Sequence, residues 1–499
     1  MSTAAARERV DVVVVGARCA GSAAAIALAN AGRKVLAVDR SPFPSDTLST
    51  HLNFPSSVAE MQRLGALGRI RRSGAPECRE GMVAANGVEC ISVFRPVDGI
   101  DFALSNPRPA FDLALVETAR DAGAEVRERT GLVDVRWSAG RACGVRLRGR
   151  DGDEYDVDCS LVIGADGRAS TTADRVGAAL PYRGSRNGRG LAFFYCDDPQ
   201  VGTVWRGRVI QLRAGATHTL VFPCPEDRML VLFMGPAEEI PLFRKDPDGM
   251  LAKMLAENPA AAERVGDAPN RTKLRSTGSV AAFFRRSSGP GWALAGDAGH
   301  FKDPVIGQGM RDAMRYGRLL GEAAAPVIDD PARLDRAALE VERLRDRECM
   351  ASYHWGNRES RILPVTPLLC ETLRAFHRSD PPHLMDMFDR GRAPHHIMNP
   401  LRGAKLAART AARRGTNRRA LLRELREELR IDADIWREEL TRPFRPTRVW
   451  ASERAGFEAP GASAAVARPA VGAVGADLQA GEAEPAGGAQ APGNVTATA

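Results

Sequence analysis

Lysine is scarce in this chain. Of 70 basic residues, only Lys34, Lys245, Lys253, Lys273, Lys302 and Lys405 are lysines. None lies between Lys34 and Lys245, which speaks against chemistry needing a lysine in that stretch. Long apolar runs are also missing. No stretch of about 20 apolar residues runs free of charge or glycine, so a membrane-spanning helix is not expected. Met1 to Val10 contains no apolar secretory core, so export is not expected and the cytoplasm is the predicted compartment. The nine cysteines are odd in number and form no C-x-x-C pair, which argues against a disulfide framework and a cysteine-based zinc site. No metal-ligand spacing surrounds His300 or His354, whose roles stay open. A net charge of +8 comes without a nucleic-acid-binding motif, so nucleic acid is not an expected partner. No solenoid-type repeat is present.

What remains is an ordinary soluble composition: 499 residues, 44% apolar and 26% charged, enough for two or three domains. Residues 8 to about 325 alternate strand-like and helical patterns, as in an α/β protein. Residues 331–457 read as helical and rich in arginine. Residues 458–499 are Ala, Gly and Pro with few large apolar side chains, the composition of a disordered tail.

Three motifs carry chemistry. Val10 to Val15 is a buried strand that runs into Gly16-Ala17-Arg18-Cys19-Ala20-Gly21, a small-residue helix, and a second strand ending at Asp39. This is a βαβ unit with an acid 23 residues after its first glycine, the layout of a dinucleotide site. Gly16 permits the turn, Gly21 lets helix and strand approach, and the helix N-terminus offers unpaired N–H groups to a pyrophosphate. Arg18 stands where a second glycine is usual. That requires a negative φ and an outward side chain, from which a guanidinium is able to clamp a phosphate. Asp39 is suited to the ribose hydroxyls. The second motif, Cys159 to Ser170, is a strand ending at Gly164-Ala165-Asp166-Gly167. The third runs from Gly291 to Arg311, with Gly296-Asp297 after a strand and Pro304-x-x-Gly307-Gln308-Gly309 opening a helix to about Ala325. A carboxylate at the end of such a strand points into the ligand crevice. A helix starting at Gln308 aims its positive end at the same place.

In order and spacing these motifs resemble the class A FAD-dependent monooxygenases, the p-hydroxybenzoate hydroxylase-like flavoproteins, with the geranylgeranyl reductase and halogenase branches close by. The resemblance spans about residues 8–325. It implies a Rossmann-like FAD-binding domain (8–75, 111–180 and 286–330) with an inserted, mostly antiparallel substrate sheet (76–110 and 181–285). It implies FAD as cofactor, held by Gly16, Arg18, Gly21, Asp39, Arg40, Arg108, Asp166, Gly167, Gly296, Asp297, Pro304, Gly307 and Gly309. His51, on the loop after Asp39, becomes a candidate catalytic group, with a structural hydrogen-bonding role as its alternative. The implied reaction is hydroxylation or epoxidation of a small, largely apolar aromatic, polyketide or isoprenoid molecule through a flavin C4a-hydroperoxide. NADH or NADPH is the transient reductant, docking in the cleft because no second nucleotide motif exists. Saturation of a double bond, as in the geranylgeranyl reductases, is the alternative. A halogenase ranks below both, since its lysine is missing. Lys302 and Asp303 read as a surface pair. The helical region either caps the pocket or forms a dimer face, and monomer and homodimer both stay open. Residues 401–450 carry 14 basic and seven acidic groups. They read as a solvated face with i,i+4 pairs such as Arg423–Glu427, or as a contact for an acidic membrane or partner.

Overall fold

The computed structural model describes residues 7–186, 188–278, 280–379 and 384–441. The tail expected to be disordered lies outside the described residues. Strand β1 (Val12–Val15) turns into helix α1 (Cys19–Asn30) and returns as β2 (Val35–Val38). Helix α2 (Pro55–Arg63) follows, and the chain then leaves for a second sheet through β3 (Glu80–Ala85) and β4 (Val88–Val93). It comes back through α3 (Arg108–Asp121), β5 (Glu125–Arg127), β6 (Leu161–Gly164) and the short α4 (Thr171–Arg175). Strands β7 (Arg189–Asp197), β8 (Arg208–Ala214), β9 (Thr217–Pro223) and β10 (Arg228–Pro236) extend the second sheet. β11 (Trp292–Leu294) and α5 (Gly309–Ala324) complete the first unit. The helices α6 (Pro331–Glu359), α7 (Pro367–His377), α8 (Leu384–Phe388), α9 (Pro400–Ala412) and α10 (Arg418–Thr441) end the described chain.

Among the described residues the first sheet runs in the order Ser288–Gly289, β11, β6, β1, β2, β5, and is parallel from β11 to β5. All four residues of β1, β2 and β6 are buried, as expected of valine-rich strands covered on both faces. The small residues of α1 have a packing reason. A Cβ on Gly317 or Gly321 of α5 would stand 2.3 Å from the Ala20 carbonyl oxygen or 2.8 Å from that of Ala24. Two helices therefore pack backbone to backbone, and the carboxyl ends of the parallel strands open beside them.

The second sheet runs Arg275–Thr277, β7, β10, β9, β8, β3, β4, and only β8 and β3 pair in parallel. This is a mostly antiparallel sheet inserted into a Rossmann-like unit, the α/β architecture expected from the motifs. One face packs against α7 and α8 through Val83, Leu220, Phe222, Phe376 and Phe388. No helix among the described residues is long and apolar enough to cross a membrane.

Candidate active site

The nucleotide end is built from close approach. Gly16 sits at φ +96, and a Cβ there would lie 2.4 Å from the Ala165 carbonyl oxygen. A Cβ on Gly21 would lie 1.7 Å from the Gly16 carbonyl oxygen. Only glycine fits either position. Asp39 is buried, and each carboxylate oxygen accepts one backbone N–H, from Ala17 and from Ser41, both at 2.9 Å. Those bonds hold the turn and leave a lone pair on each oxygen for a diol. The first turn of α1 carries no acid and no side-chain cap, so its N–H groups and partial positive charge face the crevice.

Arg18 has the negative φ that the motif required, −82°. Its guanidinium, 2.5 Å from Asp112 and 3.0 Å from Ser45 Oγ, is committed to the protein rather than held free as a clamp. Arg108 converges on the same carboxylate, with Nε at 3.0 Å and Nη2 at 2.9 Å from Oδ1. Two guanidinium groups thus share one fully buried carboxylate and leave a net positive charge at the diphosphate end of the crevice. Arg40 is exposed at the rim.

Asp166 is turned away from the crevice. Its carboxylate accepts bonds from Ser170 Oγ at 2.5 Å and from the Thr172 backbone at 2.9 Å, and so braces Ser170, the N-cap of α4. Gly167 beside it takes φ +82. Gly296 takes φ +58 with Ala20 pressed against its missing Cβ, and Asp297 follows, half-buried. Burial pushes the Asp297 carboxyl up from the usual range, while Arg168, His300 and Arg108 pull it back. Pro304 opens a tight turn, and Gly307 (φ +64) lets the Phe54 ring stand 2.8 Å from where a Cβ would be. α5 then starts at Gly309.

The expected surface pair is overturned. Lys302 and Asp303 are both buried and turn apart. Lys302 Nζ lies 2.5 Å from Asp312 Oδ2 and 2.9 Å from Ser352 Oγ, while Asp303 accepts the Val305 N–H at 2.9 Å. Asp312 also receives Arg390 and Arg311. Burial pushes its carboxyl up, but Arg390 and Lys302 outweigh that and hold it well below the usual range. Cys349 lies 3.6 Å from both Asp312 Oδ2 and His300 Nε2. Burial and Asp312 raise this thiol, but Lys302, Arg390 and His300 prevail and bring it down to about 6. His300, Asp312 and Cys349 have metal-ligand atoms within 4.8 Å of one another. Two buried cations already compensate Asp312, however, and the surroundings repel a third.

His51 is fully buried at φ +43 and stacks on Tyr195, ring centroids 5.5 Å apart. Nε2 is hydrogen-bonded to the Tyr195 hydroxyl. Nδ1 is buried with no partner in the protein. Burial, with Arg108 and Arg275 adding to it, brings the imidazole down to about 3, so His51 is neutral at physiological pH. Burial also holds the Tyr195 hydroxyl in its protonated form. The neutral ring carries one proton, so either the hydroxyl donates to Nε2 and Nδ1–H is an unused donor, or Nε2–H donates to the hydroxyl oxygen and Nδ1 is an unused acceptor.

Thr50 and Leu52, flanking His51, line a partly open pocket, with about 400 Å³ of empty space including the solvent at its mouth, that also touches Pro304, Val305 and Gly307. Its remaining wall is apolar except for Gln211, whose amide meets His218 Nδ1 at 2.9 Å. Met385 and Phe388 of α8 close one side, so the helical region does cap the pocket. Gln308 Nε2 donates to the Phe388 carbonyl at 2.9 Å, and Asp389 Oδ1 accepts the Ser56 N–H at 2.7 Å. Sequence reasoning missed Asp112, Asp312, Gln211 and α8. The i,i+4 spacing of Arg108 and Asp112 was the one readable signal among them.

A model of the FAD-binding-domain family matches residues 9–345. The menaquinone reductase of Mycolicibacterium smegmatis is 32% identical over 343 residues, covering 63% of this chain and 76% of its own length. Digeranylgeranylglycerophospholipid reductase 2 of Methanopyrus kandleri is 30% identical over 364 residues, covering 68% and 81%. Among solved structures, the myxobacterial chondrochloren halogenase CndH superposes with a TM-score of 0.63 at 20% identity, over 80% of this chain and 97% of its own. PqsL, a probable FAD-dependent monooxygenase from Pseudomonas aeruginosa, does so with a TM-score of 0.60 at 19% identity, over 71% and 98%.

Proposed function

The chain belongs to the FAD-binding-domain family of FAD-dependent oxidoreductases, and from that premise we propose that it saturates a carbon–carbon double bond of a small apolar, isoprenoid-type substrate. The observation that carries the reading is the apolar cavity set directly against the Pro304–Gly307 loop. The direction of the chemistry follows the relatives at 30–32% identity, which are reductases. Oxygen insertion is the second reading. It is favoured by the scaffold shared with PqsL, a likeness at 19% identity that extends to the fold alone.

The residues fit FAD. The glycine cradle excludes any Cβ, and the paired guanidinium groups at Asp112 and the open N-terminus of α1 suit a diphosphate. Asp39 would take the ribose hydroxyls and Asp297 the ribityl hydroxyls. FAD, when bound, supplies two-electron redox chemistry, with a reduced nicotinamide proposed as the source of the hydride. The protein's own part is to bind, orient and exclude water. α5 would present its positive end to the flavin edge that gains negative charge on reduction. The cavity takes the double bond in a dry, apolar setting. Saturation adds a hydride to one carbon and a proton to the other. The proton would come from solvent, and His51, neutral and bonded to Tyr195 between the cavity-lining Thr50 and Leu52, would orient a polar group through Nδ1. Gln211 is the cavity's polar anchor for a neutral oxygen.

The test is product mass. Reduced nicotinamide and an isoprenoid alkene are incubated with the FAD-loaded enzyme, without oxygen and under labelled oxygen. The reductase reading expects a product richer by two hydrogens in both cases. A product formed only in air and carrying one labelled oxygen atom overturns it in favour of the second reading.

A further inference from the structure

The last helix, α10, divides its charges between two faces. Four of its acids pair with the body of the protein. Glu428 meets Arg358 at 2.9 Å, Asp432 meets the same guanidinium at 2.6 Å, and Glu427 reaches Arg361 at 2.6 Å. Glu424 is held inward by Thr366. The expected i,i+4 pairing of Arg423 with Glu427 therefore does not form, because Glu427 is used by the body of the protein. Arg419, Arg423, Arg426 and Arg430 are exposed and have no ion partner among the described residues. Leu422 and Leu429 stand on the same side, 57% and 64% exposed. At 3.6 residues per turn these six side chains occupy about a third of the helix circumference, the leucines along one edge and the arginines beside them.

We propose that this face of α10 docks the protein on the headgroup region of an anionic lipid bilayer. Four guanidinium groups with no ion partner among the described residues complement phosphate headgroups, and Arg is suited to bidentate phosphate contact. The two leucines are the apolar edge of an interfacial helix, which sinks into the boundary between headgroups and acyl chains. A surface for nucleic acid would have no use for them. α9 repeats the chemistry on its exposed face with Leu401, Lys405 and Arg409. The proposal is independent of the reaction assigned above. A lipid-docked enzyme would draw an apolar substrate from the phase in which it dissolves, but failure of the docking test would leave the product-mass test untouched.

The experiment is co-sedimentation of the full-length, FAD-loaded protein with vesicles. One set is phosphatidylcholine alone, and the other is equal parts phosphatidylcholine and phosphatidylglycerol. Binding is expected only to the second set, falling steeply as salt rises. Each arginine removed should weaken it about fivefold, so replacing all four with glutamine should abolish sedimentation. The Leu422→Ser, Leu429→Ser double variant keeps the charge and should bind about tenfold more weakly. Flavin content and turnover of detergent-dispersed substrate should stay unchanged in both variants, which establishes that they fold. Equal binding to neutral vesicles, insensitivity to salt, or wild-type binding by the arginine variant would overturn the proposal. Wild-type binding by the leucine variant, with equal retention on RNA, would mark the face as a site for polyanions in general and overturn it too.

Discussion

Asp389 makes the closure of the cavity depend on pH. It follows α8 and accepts the Ser56 N–H at the start of α2. Burial pushes its carboxyl from 3.8 up to about 6, with Asp386 adding to the rise, while the bonds from Ser56 and the charge of Arg311 only partly oppose it. A carboxyl raised on folding stabilises the native state when protonated. Its contribution is complete below about pH 4 and is lost as pH rises through about 6. A shift of about two units at 1.36 kcal/mol each makes the loss about 3 kcal/mol. Asp389→Asn keeps the shape and cannot ionise. Urea unfolding of the FAD-loaded protein at pH 4.5 and pH 7.5 measures the effect. The variant should be more stable than wild type by about 1 kcal/mol at the lower pH and by up to about 3 kcal/mol at the higher. Comparing the two proteins across pH cancels the other carboxyls, provided that they titrate independently. A variant that shows the wild-type pH dependence, or is less stable at pH 7.5, would refute the reasoning.

Asp112→Asn should destabilise the flavin-free protein by about 3–5 kcal/mol, because Arg18 and Arg108 lose the carboxylate they share. Part of that should return when FAD is added, so Tm is read with and without cofactor, and an unchanged Tm in both states contradicts the pairing. Gly307→Ala meets both a positive φ and the Phe54 ring, and should cost about 1–3 kcal/mol in denaturant unfolding together with loss of flavin. Asp297→Ala should purify colourless. A full flavin absorbance in that variant would remove the ribityl role.

The parts legible in the sequence were those with a short-range physical cause. The βαβ unit could be read because strand, glycine turn, small-residue helix and acid lie within about 30 residues of each other, and each has a local reason. The third motif announced Gly307 and the start of α5 in the same way. Asp112 was half-legible, four residues from Arg108 on one helix face. Lys302 and Asp303 misled, because adjacent opposite charges look like a surface pair, and burial decides otherwise only through Asp312, Ser352 and Val305. The cap on the cavity was one of two alternatives for the helical region, and nothing local decided between them. Ser56 and Asp389 are 333 residues apart, and no periodicity links them. His51 stood out by loop position, but its partner Tyr195 lies 144 residues away on β7.

Three consecutive residues tie the cavity to α5, the helix proposed to face the flavin. Phe388 lines the cavity, Asp389 holds α2, and Arg390 reaches Asp312 in the first turn of α5. Asp312 matters because an acid there would, by itself, cancel the positive end that a helix offers to negative charge. Lys302 and Arg390 neutralise it from below and from the cap. Arg390 does so from a left-handed backbone position (φ +59), which the surrounding bonds to Asp312 and the Glu348 carbonyl hold in place. Displacing α8 would therefore do two things at once. It would open the apolar cavity to water, and it would withdraw one of the two buried cations that preserve the field of α5. Under the proposed function, covering the substrate and setting the electrostatics at the flavin edge would be the work of the same turn of backbone.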